Sequence, residues 1–487
     1  MPAQARKSAV WTLIITGVAL FMTALDNLIV GVALPTIRAD LGGSIEALEW
    51  TVNAYTLTFA VLLITGAALG DRFGRRRMFM IGVGIFTAAS AAAALAPSLD
   101  VLIAARAVQG AGAAIVTPLT LTLVSGAFPP EKRGAAVGIW GGISGLGVAL
   151  GPLVGGAVIE GISWHWIFWV NVPVGLVLIP LAWRNLEEST GPDKALDLPG
   201  LGLVGAGLFG LTFGIIRGES MGWTSTPIVA SIVTGLALLG AFVAWELRSK
   251  EPMLPMRFFK RRAFSATNGL SFSMFFGTFG AIFLLSQFFQ TAQGLGPLEA
   301  GLRTLPWTAM PMVVAPIAGL LSDRIGTRPL MFTGLLLQAG GLAWIAAIAS
   351  PDTTFGQLLV PFMMAGSGMA LVFPTAASAV ISAVGDRETG KASGATNAIR
   401  EIGGVMGVAV LSSVFAANGG FESPQAFNDG LVAALPIAVG VLLVGAVLAL
   451  LVPGRDKAME EAIEANQEDE AAIAASHTEW RPVTQAG

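Results

Sequence analysis

The sequence predicts an all-α polytopic membrane protein, and three observations carry that prediction. Of 487 residues, 54% are hydrophobic and 12% charged. Counting the 61 glycines brings the apolar share to about two thirds, where soluble chains have roughly 45–50% apolar and about 25% charged residues. The apolar residues form continuous runs of the roughly 20 residues that a helix needs to cross a bilayer, not the alternation of a barrel strand. Lys and Arg fall almost wholly on every second connecting segment. Other classes are excluded by the same composition. A net charge of −3 leaves no basic field for nucleic acid. No cysteine rules out disulfides and thiolate metal sites, and two histidines, His165 and His477, are too few for a histidine metal centre.

Taken in order, the spans are fourteen. Span 1 (10–34) is a long run with Asp26 inside it, and no small-residue cleavage site follows, so it reads as an anchor and not a cleaved leader. Span 2 (48–70) ends in a basic loop, and spans 3 (78–97), 4 (101–124) and 5 (134–159) follow at short intervals. Span 4 contains Arg106 and span 5 a glycine series. Span 6 (166–183) opens on aromatic residues. Spans 7 (199–217) and 8 (226–246) lie between the polar linkers 184–198 and 247–263, and have no Asp, Glu or Lys in mid-span. Spans 9 (264–290), 10 (301–321), 11 (329–349), 12 (357–383), 13 (391–416) and 14 (431–452) complete the set, with Arg400 and Glu401 inside span 13.

Placing the N-terminus inside puts 23 of the 28 Lys and Arg on inner segments and three, Arg38, Arg217 and Arg303, on outer ones; Arg106 and Arg400 are within spans. That bias orients the chain with both termini cytoplasmic, as a multi-pass protein of the inner cell membrane. The tail from 453 onward carries a net negative charge (Glu460, Glu461, Glu464, Glu468, Asp469 and Glu470 among its acids) and reads as a solvated cytoplasmic end.

An internal repeat organises the spans. Residues 70–76 read GDRFGRR and residues 322–328 read SDRIGTR, an offset of 252 that also matches Gly82 to Gly334. Two like-oriented halves related by an axis along the membrane normal are a known transporter plan. Six spans per half would put the second copy after span 8, but it follows span 10, so two spans stand between the halves. The expected division is an N-terminal six-helix bundle (1–183), a linker with two inserted helices (184–263), a C-terminal six-helix bundle (264–452) and the acidic tail (453–487).

These motifs resemble a known family. The 70–77 loop is similar to the signature of the major facilitator superfamily, and five stretches resemble its fourteen-helix drug:proton antiporter branch, the EmrB/QacA type. They are Leu25-Asp26 with Val32-Ala33-Leu34-Pro35, Trp50 with Tyr55, Arg106-Ala107-Val108-Gln109-Gly110, Gly147 to Gly156 (GVALGPLVGG), and Trp164 to Pro173 (WHWIFWVNVP). Ala67 departs from the loop signature where glycine is usual, while Gly319 keeps it in the second copy. The resemblance covers all fourteen spans. It implies a major facilitator fold and a secondary exporter that uses the proton gradient and needs no cofactor.

The candidate residues follow. Asp26 and Arg106 lie about 12 Å and 8 Å below the outer surface at 1.5 Å per residue, and Tyr55, the only tyrosine, is at a similar depth in span 2. A carboxylate at that depth is costly unless it faces a cavity or a partner, so Asp26 is either a proton-binding group or half of a structural ion pair. Arg106 is a coupling residue or its counter-ion, and Glu401 a second protonation or substrate site or the local neutraliser of Arg400. Asp71, Arg72, Arg75 and Arg76, with Asp323, Arg324 and Arg328 in the second copy, are either a gating latch or positive-inside anchors; an acid such as Asp71 has no anchoring use. Gly147, Gly151 and Gly155, with Pro152 and Gly156, form a close-packing face, which the resemblance associates with export. Trp140, Phe279, Phe283 and Trp307, with Gln287, Gln290, Asn397 and Arg400, are candidates for a substrate path. Such a cavity with an acid suits lipophilic cationic or amphiphilic compounds through charge and cation–π attraction; an exporter or flippase of one metabolite, lipid or siderophore is the alternative. The expected partners are thus lipophilic small molecules, protons and membrane lipid. Gly200 to Gly205 fits a dinucleotide pattern but sits in an apolar span, and Gly385 to Lys391 fits most of a phosphate loop but is followed by Ala392, so neither predicts a nucleotide site.

Overall fold

The computed structural model describes residues 3–43, 45–191, 197–249, 252, 254–384, 388–454 and 457. The side chains of some further helical residues, Pro152 and Asp323 among them, lie outside the described set, as do most of the acidic tail and residues 385–387 of the phosphate-loop-like stretch. Every regular element among the described residues is helical. The first half comprises α1 (Ala3–Leu41), α2 (Ile45–Phe73), α3 (Arg75–Ala94), α4 (Leu99–Ala127), α5 (Pro130–Gly161), α6 (Trp166–Trp169) and α7 (Asn171–Asn185). Next come α8 (Leu198–Met221) and α9 (Thr226–Glu246). The second half contains α10 (Arg262–Gln287), α11 (Pro297–Thr308), α12 (Met310–Ile325), α13 (Thr327–Ile348), α14 (Phe355–Ser382), α15 (Thr389–Asn418) and α16 (Pro424–Leu451).

Twelve helical segments among the described residues are long and apolar enough to cross a membrane, and the pair Trp50–Leu63 and Thr65–Phe73, bent by 50°, makes a thirteenth. The 32-residue α5 stands where the remaining expected span lies, so the helices are compatible with fourteen spans. Exposed apolar side chains such as Leu176, Val233, Leu320 and Val447 belong on such a surface, because the solvent there is lipid.

Several expected spans differ in detail. Span 1 is longer at both ends, since α1 runs from residue 3 to 41 and contains Pro35. Span 6 is broken at Val170 into α6 and α7. Span 9 ends in a π turn, Phe288–Ala292. Span 10 begins at Pro297 and is interrupted at Ala309, with Pro306 before the break and Pro311 just after it. Each proline removes a helical N–H donor, which weakens the ladder at that point.

The repeat is visible in the packing. In the first half α1 lies on α5, α3 on α4, and α3 on α7; in the second α10 lies on α15, α13 on α14, and α13 on α16. Pairing of α2 with α4 corresponds to that of α12 with α14. Gly74 and Gly326, matched by the 252 offset, have φ of 103° and 82°, so both signature loops turn through a backbone that favours glycine. Gly82 and Gly334 match for another reason: each lies where the third and fourth helices of its half cross. A Cβ on Gly112 would stand 2.9 Å from the Gly82 carbonyl oxygen, and one on Gly368 would stand 2.3 Å from that of Gly334. Gly368→Ala is therefore expected to force α13 and α14 apart and to lower stability by about 1–3 kcal/mol. Gly440→Ala, with open space around the added carbon, should leave thermal unfolding in detergent unchanged. Equal melting curves for the two variants would refute the crossing as the reason for glycine.

The two helices between the halves pack chiefly on one another. α8 also touches α2 and α15, while α9 has its substantial contact with α8. Gly200 to Gly205 lies within α8, so that stretch is helix and not a strand-to-helix turn.

Candidate functional site

The first half encloses a buried polar cluster around Asp26. Asp26, Arg106, Gln109, Ser90 and Asn171 are all fully or almost fully buried. They come from α1, α4, α4, α3 and α7 respectively. Nη1 of Arg106 donates to Oδ2 of Asp26 at 2.5 Å and to Oε1 of Gln109 at 2.7 Å, while its Nε donates to the Thr51 carbonyl at 3.0 Å. Gln109 Nε2 and Asn171 Nδ2 each donate to Asp26 Oδ1 at 2.8 Å, and Gln109 also reaches the Ser90 hydroxyl at 2.7 Å. The Arg106 guanidinium lies 4.3 Å from the centre of the Tyr55 ring, a cation–π contact strengthened by the burial of both groups. Gly110 lets α4 come this close: a Cβ there would stand 2.4 Å from the Tyr55 carbonyl oxygen.

The common depth expected of Asp26, Arg106 and Tyr55 is thus a direct contact. Gln109, Ser90 and Asn171 were not singled out from the sequence. Gln109 is three residues after Arg106, hence on the same helix face, and that spacing was the available signal. Asn171 stands in the quoted aromatic motif, and nothing in the sequence marks Ser90. In the second half the offset of 252 carries Asp26 onto Thr278, where Gln338 Nε2 donates to the Thr278 hydroxyl at 2.7 Å. The charged cluster of one half corresponds to a neutral pair in the other.

A second group stands on α10, α14 and α15. Arg400 is buried, its guanidinium 4.9 Å from the Phe373 ring centre and 5.8 Å from that of Phe275. Phe275 stacks on Phe279 at 5.4 Å and on Phe373 at 6.2 Å. Glu401 is half-buried and within electrostatic range of both Arg400 and Tyr55 of α2. Asn397 is also half-buried, one turn before Glu401 on α15.

The other expected path residues divide. Phe283, Gln287 and Gln290 are half-buried on the C-terminal part of α10 and its π turn, with Gln290 donating to the Ser286 carbonyl. Trp140 and Trp307 are packed against neighbouring helices. Trp140 is packed between α4 and α5, its Nε1 donating to Thr120 Oγ1 at 3.0 Å. Trp307 is 1% exposed, edge-on against Phe362 in the core of the second half. Their large apolar surfaces are used for packing within each half.

At the junction of α2 and α3, Asp71 accepts from Arg75 at 2.9 Å, so the acid of the signature is held by its own loop. The first linker lies over that loop. Glu188 accepts from the backbone N–H groups of Arg76 and Arg77 and pairs with the Arg76 side chain, and the Ser189 carbonyl accepts from Arg75 N. Glu188 was missed by the sequence reading; it supplies the negative charge that a helix N-terminus favours. Arg72 lies over Phe73, and Arg324 and Arg328 of the second copy are exposed. At the opposite end Glu160 of α5 accepts from Leu298 N at the start of α11, a contact between the halves. In the glycine series, a Cβ on Gly147 would stand 3.0 Å from the Phe21 carbonyl oxygen and one on Gly155 2.6 Å from Ile29, both across the α1–α5 contact; Gly151 and Gly156 are buried.

Comparison with known proteins agrees with this architecture. The Major Facilitator Superfamily model matches residues 16–408 and, in a second match, 267–485. Multidrug resistance protein Stp of Mycobacterium tuberculosis is 38% identical over 408 residues, covering 83% of this chain and 76% of that protein. The tetracenomycin C resistance and export protein of Streptomyces glaucescens is 33% identical, covering 88% and 80%. Multidrug transporter protein MdtP of Bacillus subtilis is 34% identical, covering 84% and 76%. Among solved structures, the human organic anion transporter MFSD10 superposes with a TM-score of 0.63 at 15% identity, over 92% of this chain and 100% of that one, a likeness of fold.

Proposed function

The chain belongs to the major facilitator superfamily, a multi-pass membrane transporter and not an enzyme, and from that premise we propose that it is a proton-driven exporter of lipophilic, amphiphilic drug-like compounds. Relatives named for multidrug resistance and antibiotic export support the substrate class. The observation that carries the coupling is Asp26, a carboxylate in the membrane interior whose two oxygens take three donors, from Arg106, Gln109 and Asn171. Proton binding there would release a set of hydrogen bonds joining three helices, α1, α4 and α7, which gives one proton leverage over the packing of the half.

The reading places the protein in the inner cell membrane with both termini cytoplasmic, and treats α8 and α9 as an insertion between bundles 1–183 and 264–452. The gradient is the energy source, with no cofactor. Moving one elementary charge across 100 mV yields about 2.3 kcal/mol, enough for a substrate gradient of roughly fortyfold per net charge at 1.4 kcal/mol per decade.

Proteoliposomes with an imposed pH gradient test it. A lipophilic dye should move uphill against the proton flow. Vesicles loaded with ATP but equilibrated in pH and voltage should show no uphill movement, and uphill movement there would refute proton coupling. A panel of unrelated compounds separates a broad pump from an exporter of one metabolite, lipid or siderophore, since only the first moves several of them.

A further inference from the structure

Resting on the export reading, we propose that Arg400 is the docking point for an acidic oxygen group of the substrate, a carboxylate or phenolate, attached to a planar aromatic body that stacks on the neighbouring phenylalanines. Arg400 is 4% exposed, and no described residue accepts a hydrogen bond from its Nε or Nη2. A guanidinium inside a span normally finds a partner, because leaving it unpaired there is costly. Nε and Nη2 form one edge of the guanidinium plane, the edge that grips a carboxylate through two parallel N–H donors. The ring faces of Phe373 and Phe275 attract the charge without occupying that edge.

The sequence neighbour is not the missing partner. Glu401 follows Arg400 directly, so the two side chains leave the helix about 100° apart. Glu401 is within electrostatic range of Arg400 and of Tyr55 on the other half, but neither a hydrogen bond nor an ion pair joins it to Arg400 among the described residues, so the Nε and Nη2 edge stays unfilled. Arg400 is nine residues beyond Lys391, about 14 Å along α15, which is close to mid-membrane.

The surroundings are flat and aromatic. Phe279, Phe275 and Phe373 form a ladder of nearly parallel rings, with interplanar angles of 18° and 27°. Facing Phe373 across the boundary between the halves is Gly141 of α5, where an added Cβ would lie 3.8 Å from the ring; one on Gly142 would meet nothing within 4 Å. Two adjacent glycines of α5 thus stand beside the aromatic wall that holds Arg400. In the other half, the cation Arg106 is already matched by Asp26, so Arg400 alone of the two can recruit an anion. The preference for cations expected from a cavity acid is thereby reversed at this position.

Equilibrium binding to the purified full-length protein in nanodiscs, without any gradient, tests the proposal. The probes are 2-naphthoate, 2-naphthamide and 2-naphthylmethylammonium, one ring with three charges. The acid should bind at least about tenfold more tightly than either of the others. Arg400→Gln should remove that preference while leaving the amide affinity unchanged, Arg400→Lys should keep part of it, and Phe373→Leu should weaken acid and amide alike. Equal binding of the three probes by the wild type, no binding of any, or an acid preference surviving in Arg400→Gln would overturn the proposal. The wild-type comparison needs no variant to fold. An intact acid preference in a protein that shows no gradient-driven export would refute the export reading and leave this site standing; export without charge preference would do the reverse.

Discussion

Asp26→Asn is expected to reduce proton-driven uphill export to the level of protein-free vesicles. A carboxyl that carries protons must alternate between an ionised and a neutral form, and asparagine fixes the neutral one at nearly the same size. The variant keeps an oxygen that can accept from Arg106, and Gln109 and Asn171 can turn their amides to suit the new donor. Downhill movement of substrate and its binding should persist, because the aromatic wall and Arg400 lie in the other half. Asp26→Glu should keep part of the uphill activity, since the longer arm still titrates, although a fully buried site has little room for another methylene. Rates must be normalised to folded protein in the membrane. Uphill export at the wild-type rate by Asp26→Asn would remove Asp26 from the coupling and pass that role to Glu401, the half-buried acid of α15.

Much of this was legible in the sequence because a bilayer constrains it so strongly. Run length gives the spans, and Lys and Arg give an expected direction for each. The repeat of GDRFGRR and SDRIGTR gave the relation between halves, and the packing shows why its glycines recur: two supply a turn and two a helix crossing. Depth was also legible, so Asp26, Arg106 and Tyr55 could be placed at one level. What a span does not reveal is the direction in which each side chain leaves the helix. Ser90 is indistinguishable by composition from many small residues, and it becomes significant only because α3 turns it toward Gln109. Trp140 and Trp307 illustrate the same point, since an aromatic residue in mid-span can face a path or a packed neighbour, and these two meet packed neighbours. Arg400 and Glu401 could be separated by helix geometry but not assigned to sides. Glu188 lies in a linker where nothing periodic announces that it will fold back over a loop more than a hundred residues earlier.

Arg106→Gln is expected to be the more damaging change for folding. It leaves Asp26 as a buried carboxylate with only the amides of Gln109 and Asn171, and removing one member of a buried pair costs about 3–5 kcal/mol. The Arg106 side chain also bridges α4 to the Thr51 carbonyl of α2 and covers the Tyr55 ring, contacts that a shorter glutamine cannot span. The variant should therefore express poorly and unfold at lower temperature in detergent. Asp26→Asn should show a milder loss by the same measure, because Arg106 keeps the Gln109 and Thr51 acceptors and the aromatic face. Combining Asp26→Asn with Arg106→Gln removes both charges and replaces the pair with two amides that can bond to one another, so stability should recover above that of Arg106→Gln alone. Uphill export should not recover in that double variant, since no carboxyl remains to carry the proton. Recovery of folding and of proton-driven export together would make the pair purely structural; recovery of folding with export still absent separates the load that Asp26 and Arg106 bear in packing from the proton that Asp26 carries.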